Sequence, residues 1–523
     1  MTAAPQPVYG GATVGQLYVS AFKAWPQRMA LVADDVALTY AELEKLCYRI
    51  VRAYRAAGLA RQDTIAFLVG NRGHALAAMI AAQIAGLKVV TLHPMASEQD
   101  HQFVMQDASV RALVADASRF LARTQALAAH TPAPIVFTLE NADVGQALVE
   151  QAAQHDDGEI EAESDPASIT KLAYSGGTTG RSKGILHSHR TTVTMTGYQL
   201  AGYEWPADIR FLATTPISHA AGSLILPTLL RGGTAYLMEK YSPQAFLAQV
   251  KRHRITATFL VPTQIYGLLD LPARVRADTE SLELVLYGAA PIAPVRLNQA
   301  LAAFGQVFGQ LYGQAEAPMA ISYLPRADHD PQRPHLLSSC GKVIPGNRVA
   351  LLDSQHNEVA VGEVGELCVR GPLVMDGYLN RPDENEKVFA GQWLHTGDMA
   401  RRDAQGYLYL VDRAKDMIIS GGFNVYPSEV ENCLAQHPAV ATSAVIGVPH
   451  DKWGEAVTAI VVLREDAHAT EAEIIEYVVA HKGVVNAPKA VIFEAELPLT
   501  ALGKVDKKTI RARYWNTQDR SIA

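Results

Sequence analysis

The densest chemistry in the chain lies in Tyr174-Ser175-Gly176-Gly177-Thr178-Thr179-Gly180-Arg181-Ser182-Lys183-Gly184. Its glycines remove side chains that would hold a ligand off the main chain, and hydroxyls, an arginine and a lysine stand between them. Exposed backbone N–H groups interleaved with hydroxyl and cationic donors suit a polyphosphate. Apolar residues 169–173 predict a strand entering the run, and Gly184-Ile185-Leu186 predicts a second strand leaving it. The loop therefore reads as a hairpin-like flap. A Walker A loop needs glycine before its lysine and a hydroxyl after it. Ser182 and Gly184 flank Lys183 instead, which excludes a P-loop phosphotransferase.

The elements around this loop must hold it against other groups, and 523 residues give room for more than one domain. Thr39 and Glu42 form a capping box that starts a helix after a short strand pair around Met29 to Leu38. Strand-like runs at 64–68, 88–92, 112–115 and 134–138 then alternate with helical ones, the signature of an open, largely parallel α/β sheet. A second such run follows the loop, with strands near 210–214, 234–237, 257–260, 284–287 and 307–311. Short strands and Gly/Pro turns from Arg348 to Gly406 predict a small β-barrel or sheet. Mixed helices and strands follow beyond Arg413. The expected fold is α/β: an N-terminal domain (1–412) of two α/β sheet subdomains plus a small β-barrel, then a small mobile α+β C-terminal domain (413–523).

A net charge of −7 gives no electrostatic case for nucleic acid or an anionic membrane. Cys47, Cys340, Cys368 and Cys433 lack metal-ligand spacing and read as reduced thiols of a cytoplasmic protein. The apolar stretch 75–92 is interrupted by Gln83, Gly86 and Lys88, so no membrane span is expected.

Further segments offer groups for the same ligand. In Pro216-Ile217-Ser218-His219-Ala220-Ala221-Gly222, small residues beside a histidine leave room for an apolar substrate, and the segment supplies no fixed cation. A core histidine is the plain alternative. Tyr287-Gly288-Ala289-Ala290-Pro291 lets main chain approach a flat base edge. Tyr312-Gly313-Gln314-Ala315-Glu316 combines an aromatic ring with a carboxylate. In Trp393-Leu394-His395-Thr396-Gly397-Asp398, an aspartate after glycine suits a vicinal diol.

Together with Pro498-Leu499-Thr500-Ala501-Leu502-Gly503-Lys504, these segments resemble the acyl-adenylate-forming superfamily of acyl-CoA synthetases, aryl-CoA ligases, luciferases and peptide-synthetase adenylation domains. The resemblance runs from about Thr39 to Lys507 with the motifs in order. It implies that Ser175, Gly176, Gly177, Thr178, Thr179, Gly180 and Lys183 clamp ATP phosphates, and that Gly288, Ala289, Ala290, Pro291, Tyr312, Gly313, Gln314 and Ala315 surround the adenosine. Ala315 departs from the family's usual threonine. Asp398 and Arg413 would hold the ribose, and Glu316 with Thr178 would hold Mg2+. Lys504 would be the catalytic lysine, and Lys415 the hinge about which the C-terminal domain turns. Gly421, Gly422 and Phe423 would then line the coenzyme A tunnel. His219, Ala220, Ala221, Gly222, Val261 and Thr263 would line the acyl pocket, with His219 between it and the thiol path.

The resemblance implies an ATP-dependent carboxylate–CoA ligase acting on a medium-chain, alicyclic or aromatic acid through acyl-AMP. A freestanding enzyme loading the phosphopantetheine of an acyl carrier protein is the alternative. No carrier domain and no fatty acyl-AMP ligase insertion is evident, and both absences favour free coenzyme A. A non-catalytic nucleotide sensor is disfavoured because Glu316, Asp398 and Lys504 are all present. A monomer or homodimer is expected.

Overall fold

The structure is a computed structural model that describes residues 11–130, 132–162, 164–175, 182–271, 277–413, 416–420, 423–450, 453–499 and 505–515. Two large sheets dominate it. The first has eight strands, in the order Gly377–Tyr378, Lys183–Ser188, Ile169–Ser175, Lys88–Thr91, Thr64–Leu68, Val110–Ala115, Ile135–Thr138, Gln146–Ala147. Its inner strands run parallel, and Thr64–Leu68 is buried at every position, as expected of a strand covered by helices on both faces. One covering helix, Gly73–Ile84, is almost entirely apolar and buried at nine of its positions.

The second sheet has nine strands. Its parallel heart runs Phe308–Gln314, Leu284–Tyr287, Ala257–Leu260, Arg210–Ala213, Thr234–Leu237. Three of these strands, Thr234–Leu237, Ala257–Leu260 and Leu284–Tyr287, fall where the apolar runs predict them.

The early strand pair belongs to this second sheet and not to the sheet of the residues that follow it. Leu31 pairs with Ala235, and the Tyr40 hydroxyl donates to the Gly233 carbonyl at 2.6 Å. The capping box holds: Thr39 Oγ1 accepts from Glu42 N, and the Glu42 carboxylate accepts from Thr39 N.

The segment expected as a β-barrel is instead an open antiparallel sheet among the described residues. Its order is Arg348–Leu352, Val364–Arg370, Leu394–Arg402, Leu408–Arg413. The one short strand that departs from it, Gly377–Tyr378, pairs with Lys183–Ser188 and so extends the first sheet.

A fourth sheet centres on Gly454–Leu463, paired with Val440–His450 on one side and Ala490–Phe493 on the other. Helices Pro427–Leu434 and Glu471–Asn486 pack on it through Val430, Leu434, Ile474 and Val478. The Lys507–Ala512 helix is tied in by Lys507 to Glu431 at 2.7 Å and Arg511 to Asp416 at 2.6 Å.

Candidate active site

Four of the sequence segments converge because of sheet order alone. Arg210–Ala213, Ala257–Leu260, Leu284–Tyr287 and Phe308–Gln314 are adjacent parallel strands. At or just beyond their carboxyl ends stand Pro216–Gly222, Val261 and Thr263, Gly288–Pro291, and Gln314–Glu316. In open α/β sheets ligands bind in the crevice outside those ends.

Around Gly288 and Gly313 the main chains crowd. A Cβ on Gly288 would lie 2.5 Å from the Leu311 carbonyl oxygen, and one on Gly313 would lie 2.4 Å from Met319 N. Both glycines are therefore required by strand packing. Ala289 and Pro291 are exposed, and Ala289 takes a left-handed φ of 67°, which turns the chain outward. Tyr287 beneath them is buried, its hydroxyl 2.9 Å from His329 Nε2. The Tyr312 hydroxyl donates to Asp398 Oδ2 at 2.6 Å. Burial, reinforced by the Asp398 charge, raises the Tyr312 phenol far above its ordinary pKa and keeps it a donor.

Asp398 sits in a held turn. Glu366 accepts from Gly397 N at 2.8 Å through one oxygen and contacts His395 Nδ1 at 2.8 Å through the other. Gly397 has φ 70°, so the turn needs glycine. Glu366, Cys368 and His395 lie close enough together to be ion ligands, but the carboxylate is occupied by these two contacts.

The strands that flank the glycine-rich loop pair antiparallel as expected, with Ser175 paired to Lys183 and Ala173 to Ile185. Lys183 forms an ion pair with Glu384 and lies 5.1 Å over the Tyr378 ring, while the Tyr378 hydroxyl donates to Glu316 Oε1 at 2.9 Å. Tyr378 thus brings the loop lysine and the carboxylate of Glu316 together. Asn385 clamps it, accepting from Tyr378 N at 2.6 Å and donating to its carbonyl at 2.9 Å. Among the described residues Glu316 Oε2 has no protein partner, which leaves one carboxylate oxygen for a hard cation such as Mg2+.

His219 stands on the first turn after its strand. Its Nδ1 is 2.7 Å from Ser218 Oγ, and its ring meets His93 edge-on with centroids 4.7 Å apart. Burial first, then the charges of His93 and Lys171, pushes its pKa down to about 3, so the ring is neutral. Asn71 braces the turn, accepting from Ile217 N at 2.8 Å and donating to the Thr215 and Met238 carbonyls.

One acyl-pocket expectation needs correction. Ala221 is fully buried in the core, where its small side chain packs the 3-10 turn Ala220–Leu224. Gly222 is partly exposed, and a Cβ on it would lie 1.8 Å from the Ile217 carbonyl oxygen, so the turn itself requires glycine there. Ala220 and Val261 are partly exposed, and Thr263 is exposed on the Pro262–Leu269 helix.

Arg413 lies on the strand opposite Asp398. Phe423 is 60% exposed. Gly176, Gly177, Thr178, Thr179, Gly180, Lys415, Gly421, Gly422 and Lys504 lie outside the described residues. Tyr378, Asn71 and His93 carry no local motif, and their distance in sequence hid them.

Residues 19–379 match the AMP-binding enzyme family, and residues 429–504 match the AMP-binding enzyme C-terminal domain. The chain belongs to the AMP-binding enzyme family. It is 43% identical to the medium/long-chain-fatty-acid–CoA ligase FadD8 of Mycobacterium tuberculosis, over 97% of this chain and 91% of that protein. Among solved structures, it is similar to the amide bond synthetase McbA of Marinactinospora thermotolerans, with a TM-score of 0.88, 32% identity and coverage of 96% and 100%. ATP-bound MatB of Rhodopseudomonas palustris gives a TM-score of 0.87 at 28% identity, covering 96% of this chain and 99% of that one. This AMP-binding enzyme is an AMP-forming acid–CoA ligase, with ATP, Mg2+ and coenzyme A as its co-reactants. No helix among the described residues is long and apolar enough to cross a membrane.

Proposed function

We propose that this ligase adenylates a largely apolar medium-chain, alicyclic or aromatic acid and passes the acyl group to the thiol of coenzyme A. The observation that carries the reading is the alignment of four candidate segments at the carboxyl ends of adjacent parallel strands, with Asp398 joined to them through Tyr312. The 43% identity to a fatty-acid–CoA ligase supports the apolar acid.

A carboxylate resists attack because its charge is delocalised and oxide is a poor leaving group. Adenylation brings two anions together, so charge on the α-phosphate and departing pyrophosphate must be neutralised. Glu316, with Thr178, would hold Mg2+, which would supply part of that neutralisation. Lys504 supplies the rest, while Lys183 leaves Glu384 for the β- and γ-phosphates. Tyr312 orients Asp398 toward the ribose. Neutral His219 stands between the acyl carbonyl and the thiol path without adding a charge that would hold the carboxylate back.

Lys504 and the thiol need the same side of the acyl carbon in turn. We place the domain boundary at residue 412, with rotation about Lys415 withdrawing Lys504 and bringing Gly421, Gly422 and Phe423 to the thiol. We place the enzyme in the cytoplasm as a monomer or homodimer. A carrier-protein thiol is the second reading for the acceptor. Pyrophosphate release from a panel of acids, followed by product analysis with coenzyme A or phosphopantetheinyl carrier protein, tests both. Coenzyme A thioesters support the proposal, and acyl transfer to the carrier alone overturns it.

A further inference from the structure

The strand Ile169–Ser175 leads into the phosphate loop, yet it carries a lysine at its inner end. Lys171 is paired in register with His187 on one side and Val89 on the other, and paired residues share a face of the sheet. Two residues beyond Val89, Thr91 donates to the Ser218 carbonyl at 3.2 Å, and Ser218 holds His219. Lys171 and His187 therefore share one face of the flap strands, beside the turn that carries His219. The charge of Lys171 is felt by both imidazoles.

Among the described residues no carboxylate pairs with that charge. Among the described residues Lys171 makes no hydrogen bond and no ion pair. The nearby carboxylate of Asp376 is engaged by Arg190 at 2.8 Å and by Ser188 N at 2.7 Å. His187 adds a second unmet group: one of its nitrogens bonds the Ala315 backbone, and buried Nδ1 has no partner among the described residues. The surroundings of Lys171 are dense enough to press its pKa down, yet part of the side chain still meets solvent. That combination describes a group lining a recess, where an unpaired ammonium is costly unless something binds it.

We propose that Lys171 receives a second oxygen acceptor, a carboxylate or a carbonyl, carried by the acid away from the carboxyl group that is activated. The preferred substrate is then a bifunctional acid with an apolar body. This refines the acid in the reading above and rests on that reading.

The test measures pyrophosphate release by the full-length enzyme with matched monocarboxylates, α,ω-dicarboxylates and oxo acids over medium to long chain lengths. At one length, kcat/KM for a bifunctional acid should exceed that of its monocarboxylate by about 10–100-fold, the range for a hydrogen bond to a charged group. Lys171→Met should abolish that ratio and Lys171→Arg should retain it. Whether the dicarboxylate or the oxo acid gains more identifies the acceptor. A wild-type preference for monocarboxylates at every length overturns the proposal without needing a variant, and so does a ratio unchanged in Lys171→Met. Release with none of the acids would instead overturn the adenylation reading on which the proposal stands.

Discussion

The Tyr312 hydroxyl donates a 2.6 Å hydrogen bond to Asp398 Oδ2, and this bond joins the Phe308–Gln314 strand of the second large sheet to the Leu394–Arg402 strand of the antiparallel sheet. Two sheets thereby fix the carboxylate that we propose holds the ribose. Tyr312→Phe keeps the ring and removes this hydrogen bond. A hydrogen bond to a charged group contributes about 1.5–3 kcal/mol. The expected result is a KM for ATP raised roughly tenfold or more with a smaller change in kcat, read by pyrophosphate exchange. An unchanged KM would separate Asp398 orientation from nucleotide binding.

Lys504→Ala separates the half-reactions. Removing one preorganised donor slows a step by roughly 100–1000-fold. Acyl-AMP formation should fall by that amount, while thioester formation from supplied acyl-AMP stays close to wild type. Equal losses in both half-reactions would count against a role confined to adenylation.

Gly222→Ala tests the packing of the turn that carries His219. The missing side chain of Gly222 makes space for the Ile217 carbonyl, where a Cβ would approach to 1.8 Å. Gly222→Ala should destabilise the protein by about 1–3 kcal/mol, the usual cost of overpacking. The readout is a lower Tm, and a stable variant with altered acid preference would show that the position faces substrate after all.

Acid sensitivity follows from buried neutral histidines. Burial, then the charge of Lys171, holds His187 at about 3. Burial, then His93 and Lys171, holds His219 at about 3. In the unfolded chain both titrate near about 6.5. Below that pH the unfolded state takes up protons that the folded state refuses. Their contribution is therefore complete above pH 6.5 and is lost progressively toward pH 3. The urea midpoint should fall between neutral pH and pH 5, and His187→Leu should make that fall shallower. An identical slope in the variant would remove His187 from the account.

Much of the fold was legible because its strands are short apolar runs between turn residues. Thr234–Leu237 and Leu284–Tyr287 need only that pattern. What stayed hidden was non-local. Nothing near Met29–Val32 says that it pairs with Thr234–Leu237, some two hundred residues on. The β-barrel expectation failed for a similar reason, since strand count in a segment does not say whether the sheet closes. Glu316 and Asp398 were legible as candidates because each sits in a motif. Tyr378 and Lys171 act only through residues brought to them by sheet pairing. Ala221 was misread because a small residue beside a histidine can equally be one that packs into the core, and its side chain is fully buried there.

The central claim is acid-dependent adenylation, and isotope exchange between pyrophosphate and ATP tests it most directly. With Mg2+ and a medium-chain acid but no coenzyme A, the account predicts exchange that stops when the acid is omitted. Adding coenzyme A should then yield AMP and acyl-CoA in equal amounts. Exchange without acid, or ADP and phosphate as the products, would contradict it.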